Sequence, residues 1–491
     1  MTGPVKALTV AACCFLFSCA PQKPAPLAGN YLNDLVLYEN ILQATHAGLY
    51  NYHSKSSIDS IFAYYNTLVG KQYTSTTEFY KYICIITTYI GSLHDDVFLP
   101  DALRDSLAGQ KGFFPYPLEI IHDSMVVNTD QGSIPAGAII TAVNGHTTQE
   151  LLQTLGHYYT TDGYNTTGKK VGIAHFFSWY YAIEYGMQDE FNISYLPYGS
   201  STIKAAVLPA ATFTAYEKLY EKRHSLYLDT LLDNHYYFTW APGSAPVLTV
   251  NTFALGNAGS AKHKAYSRFL DSVFTLLKTK HAASLVVDIR KNGGGDDPND
   301  LLTFSYLAYQ PYKENQEAYT LFQKLPFKQY YQAEDSTDIP DLESNFLEEH
   351  NRLLNGKYYQ NPSFNPLWKP NPLAFHGKVY LLVGPQVASA ASLFASMVRS
   401  EDKVLVVGEE TMGGYYGHTG HNSVTYQLPD SHISIMLSVV NVKQYVQPLP
   451  AIPFGRGIMP QVPLQQDLKG FIDNKDHVLN AVMKLAQPSL Q

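Results

Sequence analysis

Two apolar strand-like runs that each end at a glycine turn constrain this chain most. The first lies in SLVVDIRKNGGGDDPNDLL (Ser284–Leu302), where Leu285–Ile289 runs into Asn292-Gly293-Gly294-Gly295. The second lies in KVYLLVGPQVASAASLFAS, where Val379–Val383 meets Gly384-Pro385. Small residues follow it, and then an amphipathic stretch with Leu393, Phe394, Met397 and Val398. A strand that is apolar along its length must be covered on both faces, as happens in a parallel sheet under helices. Further segments fit that plan: a strand over Pro246–Phe253, a helix over His263–Lys280, and strands at Val404–Val407, Ser423–Leu428 and Ile433–Val440. Residues 245–491 therefore read as an α/β core. Within it, residues 300–375 are aromatic, contain prolines and read as an insertion over a site.

Upstream, the character changes twice. Residues 20–110 read as a helical region, with apolar residues at three-to-four spacing in Tyr31–Leu49, Ile58–Val69 and Glu78–Leu93. Thr74–Glu78 supplies a helix-start signal. Residues 111–210 hold short β-type runs (Leu118–Ile121, Met125–Asn128, Ile139–Val143, Phe191–Tyr195, Thr202–Val207) separated by turn residues. A charged, tyrosine-rich connector, 211–244, leads into the core.

Residues 1–19 read as a leader: Lys6, then an apolar run, Ala7–Phe17, too short to span a bilayer. Leu16-Phe17-Ser18-Cys19 resembles a bacterial lipobox. In that reading Cys19 carries lipid and anchors a lipoprotein in the bacterial cell envelope, on the periplasmic side or at the outer membrane. Cys84 is then the only cysteine left unmodified, and it reads as a small core residue. No His/Cys spacing matches a zinc site, and neither metal nor cofactor is expected. The net charge of −8 argues against nucleic acid as a partner.

Ser389 sits near the start of the helix that follows the second strand. Backbone N–H groups there lack intrahelical partners and carry partial positive charge. Two readings follow. Ser389 is either an N-cap or a nucleophile whose oxyanion those N–H groups hold. The Gly293–Gly295 turn is either a flexible turn or a backbone cradle that approaches a ligand closely.

The paired segments V-D-I-R-x-N-G-G-G and V-A-S-A-A-S-L-F-A, followed by Gly408-Glu409-Glu410-Thr411-Met412-Gly413-Gly414, resemble the tail-specific (C-terminal processing) serine peptidases. Ile134–Leu152 resembles part of a PDZ domain, a module that binds peptide C-termini by strand addition. The resemblance implies a crotonase/Clp-like ββα spiral core with an N-terminal helical region and a PDZ-like domain at 111–210. It places the nucleophile at Ser389 and oxyanion donors at Gly294 and Ala390. Gly414 stands where the family's lysine base belongs, so a Ser–Lys dyad is ruled out at this site. The related tricorn-like branch uses a histidine at the end of an N-terminal helix, and His94 in Ile90–Asp95 takes that position. His418 is an alternative base, and Glu409 or Glu410 could orient either one. The implied substrate is a peptide or protein. A catalytically inactive peptide- or ligand-binding lipoprotein on the same fold is the alternative, since Leu93, Gly414 and Gln461 all depart from the family's pattern.

Overall fold

The computed structural model describes residues 30–71, 73–224 and 234–487. The leader and Cys19 lie outside the described residues. A six-stranded sheet forms the α/β core. Its order is Tyr236–Thr239, Val247–Val250, Ser284–Asp288, Lys378–Val383, Val404–Gly408 and Val462–Pro463. Every pairing is parallel except the first. Alternate side chains go to opposite faces, and both faces are covered. Leu285, Val287, Leu381 and Val383 pack with the helices Ala261–Thr279 and Ala390–Arg399. Val286, Tyr380 and Leu382 pack with Val478, Val482 and Ala486 of the C-terminal helix His477–Ala486. Arg290 fastens that helix by pairing with both Asp288 and Asp476.

A second sheet is built on two long antiparallel strands, Gly417–Gln427 and Ser434–Gln444. The free edge of Ser434–Gln444 takes two partners in succession. Asp96–Phe98, from the N-terminal region, pairs with one end, and Asn315–Thr320 pairs with the other. The stretch read as an insertion is thus part of the framework. It donates the strand Asn315–Thr320 to this sheet and the helix Asn299–Ser305, which packs on the Ser389 helix.

The N-terminal helices are Leu32–Thr45, Lys55–Val69 and Thr76–Ile90. The last is capped by the Ser75 side chain and ends at Gly91 in the left-handed region (φ 78°). Residues 111–210 form a sheet ordered Leu118–Ile121, Ser124–Val127, Ile139–Val143, Glu190–Leu196, Lys204–Pro209. This region also holds a long buried helix, Thr167–Tyr185, that the β-type reading of the sequence lacks. One continuous core joins the N-terminal helices, this unit and the second sheet. Cys84 is buried within it. Among the described residues, no helix is long and apolar enough to cross a membrane.

Candidate active site

Ser389 and the glycine loop follow the C-terminal ends of neighbouring parallel strands, with Asp288 in register with Leu382. That edge is where open α/β sheets gather ligands. Ser389 has φ 52° and ψ −133°, and Ala391 N–H donates to Ala388 O at 3.0 Å. Residues 388–391 therefore make a type II′ turn with Ser389 at the position that favours glycine. The Ser389 side chain does not cap the helix. Its own carbonyl instead accepts from Ser392 Oγ at 2.8 Å. Ser389 Oγ forms no hydrogen bond among the described residues, and the residue is half-buried. Ala390 opens the helix, so its N–H has no intrahelical acceptor.

The glycine loop lies directly against this turn. A Cβ on Gly294 would sit 2.7 Å from Ser389 Cβ and 3.1 Å from Ala390 N. Gly294 also has φ 105°, so both space and backbone require glycine. Asn292, fully buried, shapes the loop: its Oδ1 accepts Gly294 N–H at 2.9 Å and its Nδ2 donates to Val250 O. The Gly294 N–H assigned to the oxyanion is thus engaged in this conformation. The N–H groups of Gly293 and Gly295 have no partner among the described residues.

His94 follows the third N-terminal helix in a short turn, Asp95 N–H donating to Ser92 O. Its ring lies 5.1 Å from that of His418, centroid to centroid. His94 accordingly faces the strand Gly417–Gln427, beside the Thr419 backbone. Its Nδ1 is buried without a partner, as is Nδ1 of His418. Burial pushes the pKa of His94 down to about 4, against a smaller upward pull from Asp95. Burial likewise holds His418 well below the usual histidine range, helped by His94 and His421. Both rings are neutral at neutral pH, the form a general base needs.

Asp162, which no sequence motif marks, joins the base loop to the segment after Ser389. Its Oδ1 accepts Leu93 N–H at 3.0 Å and its Oδ2 accepts Gly414 N–H at 2.9 Å. Neighbouring Gly413 donates to Val387 O and packs against Ser392 and Ala388. A Cβ at Gly414 would meet Gly417 O at 2.5 Å, so this backbone has no room for a lysine. Glu409 and Glu410 turn to other partners. Glu410 forks onto Arg456 and accepts Gly457 N–H at 2.9 Å. Glu409 faces Lys170 and Glu119 of the 111–210 unit, and burial pushes its pKa up to about 7. Gln461 is a strand partner, exchanging hydrogen bonds with Val406.

Residues 247–448 match the family model for Peptidase family S41. The chain carries a peptidase family S41 core. Over nearly the whole length, the fold is also that of CPAF. The crystal structure of mature CPAF is 14% identical with a TM-score of 0.61, the match covering 93% of this chain and 96% of that one. The structure of mature CPAF complexed with lactacystin gives 14% identity and a TM-score of 0.58, covering 93% and 97%. No curated protein matches the chain. The S41 core is a serine-type peptidase fold, and it contains both the glycine loop and Ser389, whereas His94 and Asp162 lie outside the matched residues.

Proposed function

We propose that this protein is a serine endopeptidase of the bacterial cell envelope. Ser389 attacks the scissile carbonyl, and His94 takes its proton and passes it to the leaving amine. Ala390 N–H and an unpaired N–H of the Gly293–Gly295 loop hold the tetrahedral oxyanion. The observation that carries this reading is the turn at Ser389. A serine in a glycine-favouring II′ turn, with its hydroxyl unspent on capping and a glycine loop pressed against it, is costly unless the hydroxyl is used. In this reading the Thr419 backbone, which lies beside the His94 ring, is the group placed to orient it once the site closes on substrate, in place of Glu409 or Glu410. The 111–210 unit acts as a PDZ-like module that takes a peptide C-terminus by strand addition. Cys19 carries the lipid anchor, and Cys19→Ala is expected to shift the protein from the membrane to the soluble fraction and to abolish palmitate incorporation.

A catalytically silent peptide binder on the same fold is the second reading. It is favoured by the absence of a hydrogen bond between Ser389 Oγ and either histidine. Catalytic hydrogen bonds often tighten only with substrate in place, so the point is decided by reaction. A fluorophosphonate probe is expected to label the wild type and His418→Ala, to leave Ser389→Ala unlabelled, and to react slowly with His94→Ala. A folded wild type that takes no label would leave the binder reading in its place.

A further inference from the structure

Beside the glycine loop lies a cluster that the peptidase reading does not use. Asp297 stands two residues past the loop, and Glu314 immediately precedes the strand Asn315–Thr320. His421 sits at the bulge of the strand Gly417–Gln427, with φ 63°. One ligand atom from each lies within 4.8 Å of the other two. His421 Nε2 is 3.5 Å from Glu314 Oε1, and His421 Nδ1 is 3.9 Å from Asp297 Oδ2. Donors bound at ~2.1 Å to a tetrahedral ion stand ~3.4 Å apart, so these three need only draw in slightly to share one.

An independent observation comes from beneath them. Asp300 is fully buried, and neither of its carboxylate oxygens has a hydrogen-bond partner. The N–H groups of its own helical turn, at Asp300 and Leu301, do not reach hydrogen-bonding geometry. Burial, and then the facing carboxylates of Asp297 and Glu314, push its pKa well up. Glu314 Oε1 is buried without a hydrogen bond, and so are both ring nitrogens of His350, whose charged neighbours are Glu349 and His421. Carboxylates gathered out of water, without donors, are unfavourable unless a cation compensates them.

We propose that Asp297, Glu314 and His421 bind one divalent transition-metal ion, with Asp300 supplying further negative charge from below. One imidazole and two carboxylates suit zinc or manganese. A substrate ammonium, which could donate to the carboxylates and to a neutral ring nitrogen, is the competing occupant, but the mixed imidazole–carboxylate set within 4.8 Å is the ligand set a transition metal prefers. The ion would tie the exit of the glycine loop to the strand that carries His418, whose ring is 6.2 Å from that of His421. The site is independent of what Ser389 does.

The test uses the full mature chain, freed of metal with EDTA and then titrated with Zn²⁺ and, separately, Mn²⁺. Uptake is read by calorimetry and metal analysis, and stability by thermal melting. The wild type is expected to bind one equivalent of at least one ion and to melt several degrees higher with it. The double variant Asp297→Asn/His421→Gln is expected to bind more than about tenfold more weakly and to show no metal-dependent rise. Both side chains reach solvent, so the metal-free variant should melt with the metal-free wild type. If it melts lower, Glu314→Gln, which keeps shape and loses charge, is the deciding variant. No uptake of either ion by the wild type would overturn the site, as would undiminished uptake by the deciding variant. Stabilisation by lysine-containing peptides in place of either metal would overturn it too, and would assign the cluster to a cationic substrate side chain.

Discussion

At the scale of single residues, Ser389 occupies a backbone position better suited to glycine. Its φ of 52° and ψ of −133° place a Cβ in a region that non-glycine residues enter at a cost of about 1–3 kcal/mol. Ser389→Gly relieves that cost, and Ser389→Ala does not. Both variants lose probe labelling, but the glycine variant should be the more stable by about 1 kcal/mol in urea unfolding. Equal midpoints for the two would remove strain from the account of this turn. His94 makes a separate prediction. Burial holds it neutral down to about pH 4, so it accepts a proton throughout the range above that and loses the capacity only below it. The acid limb of kcat/KM should therefore turn near pH 4, well below the usual histidine value of about 6.5. A limb centred near 6.5 would mean that the base is a solvated histidine, which neither His94 nor His418 is here. How much of this could be read in advance differs by residue. The residue pattern placed Ser389 at a helix start, where an N-cap and a nucleophile look alike. What separates them is the direction of the Oγ, and that follows from the turn at Ala388 and the close approach of Gly294, a residue 95 positions away in the chain.

At the scale of elements, the reading succeeded where the periodicity is one-sided. The helix Thr76–Ile90 has a serine cap, an apolar face and a glycine stop, and its limits were legible to within a few residues. The helix Thr167–Tyr185 was not. Phe177, Ser178, Trp179, Tyr180, Tyr181, Ala182 and Ile183 are all buried, so no polar face interrupts them and no 3.6-residue stripe shows. Asp162 escaped for another reason. Its partners, Leu93 and Gly414, lie 69 and 252 positions away, and an isolated aspartate before a helix looks like a turn residue. Yet its carboxylate holds the loop bearing His94 to the segment packed on Ser392. Asp162→Ala leaves two N–H groups without their acceptor, each a loss of about 1–3 kcal/mol where no water replaces it. It should also lower kcat with little change in KM, because the base moves while the glycine loop and strand edges stay. Asp162→Asn keeps one acceptor oxygen and should recover part of kcat. A purely structural Asp162 would instead leave kcat per folded molecule unchanged in both variants, and that split is read directly from active-site titration with the probe.

At the scale of the whole molecule, the composition shifts along the chain suggest separable parts, but the packing joins them. The strand Asp96–Phe98 completes one edge of the core's second sheet, with Val97 in register with Ile435. Asp95, fully buried, accepts Ser438 N–H and lies 2.9 Å from His46 Nε2. Asp34, in the first N-terminal helix, accepts the N–H groups of Asp430 and Ser431 in the turn between the two long strands. Val424, Leu437 and Val439 of those strands pack in the same core as Leu35, Tyr38 and Ile86. The α/β segment alone would therefore leave one face of its second sheet bare, leave a strand edge unpaired, and lack His94. A fragment of residues 234–487 is expected to bind a hydrophobic dye, to show weak near-ultraviolet ellipticity and to take no fluorophosphonate label. Co-expression with a fragment of residues 30–224 should restore a cooperative melt and labelling together, since the lost face and the lost base come back in one docking step. Were the 234–487 fragment to melt cooperatively and label at the wild-type rate by itself, the N-terminal region would be an accessory to a self-sufficient site, and His94 could not be its base.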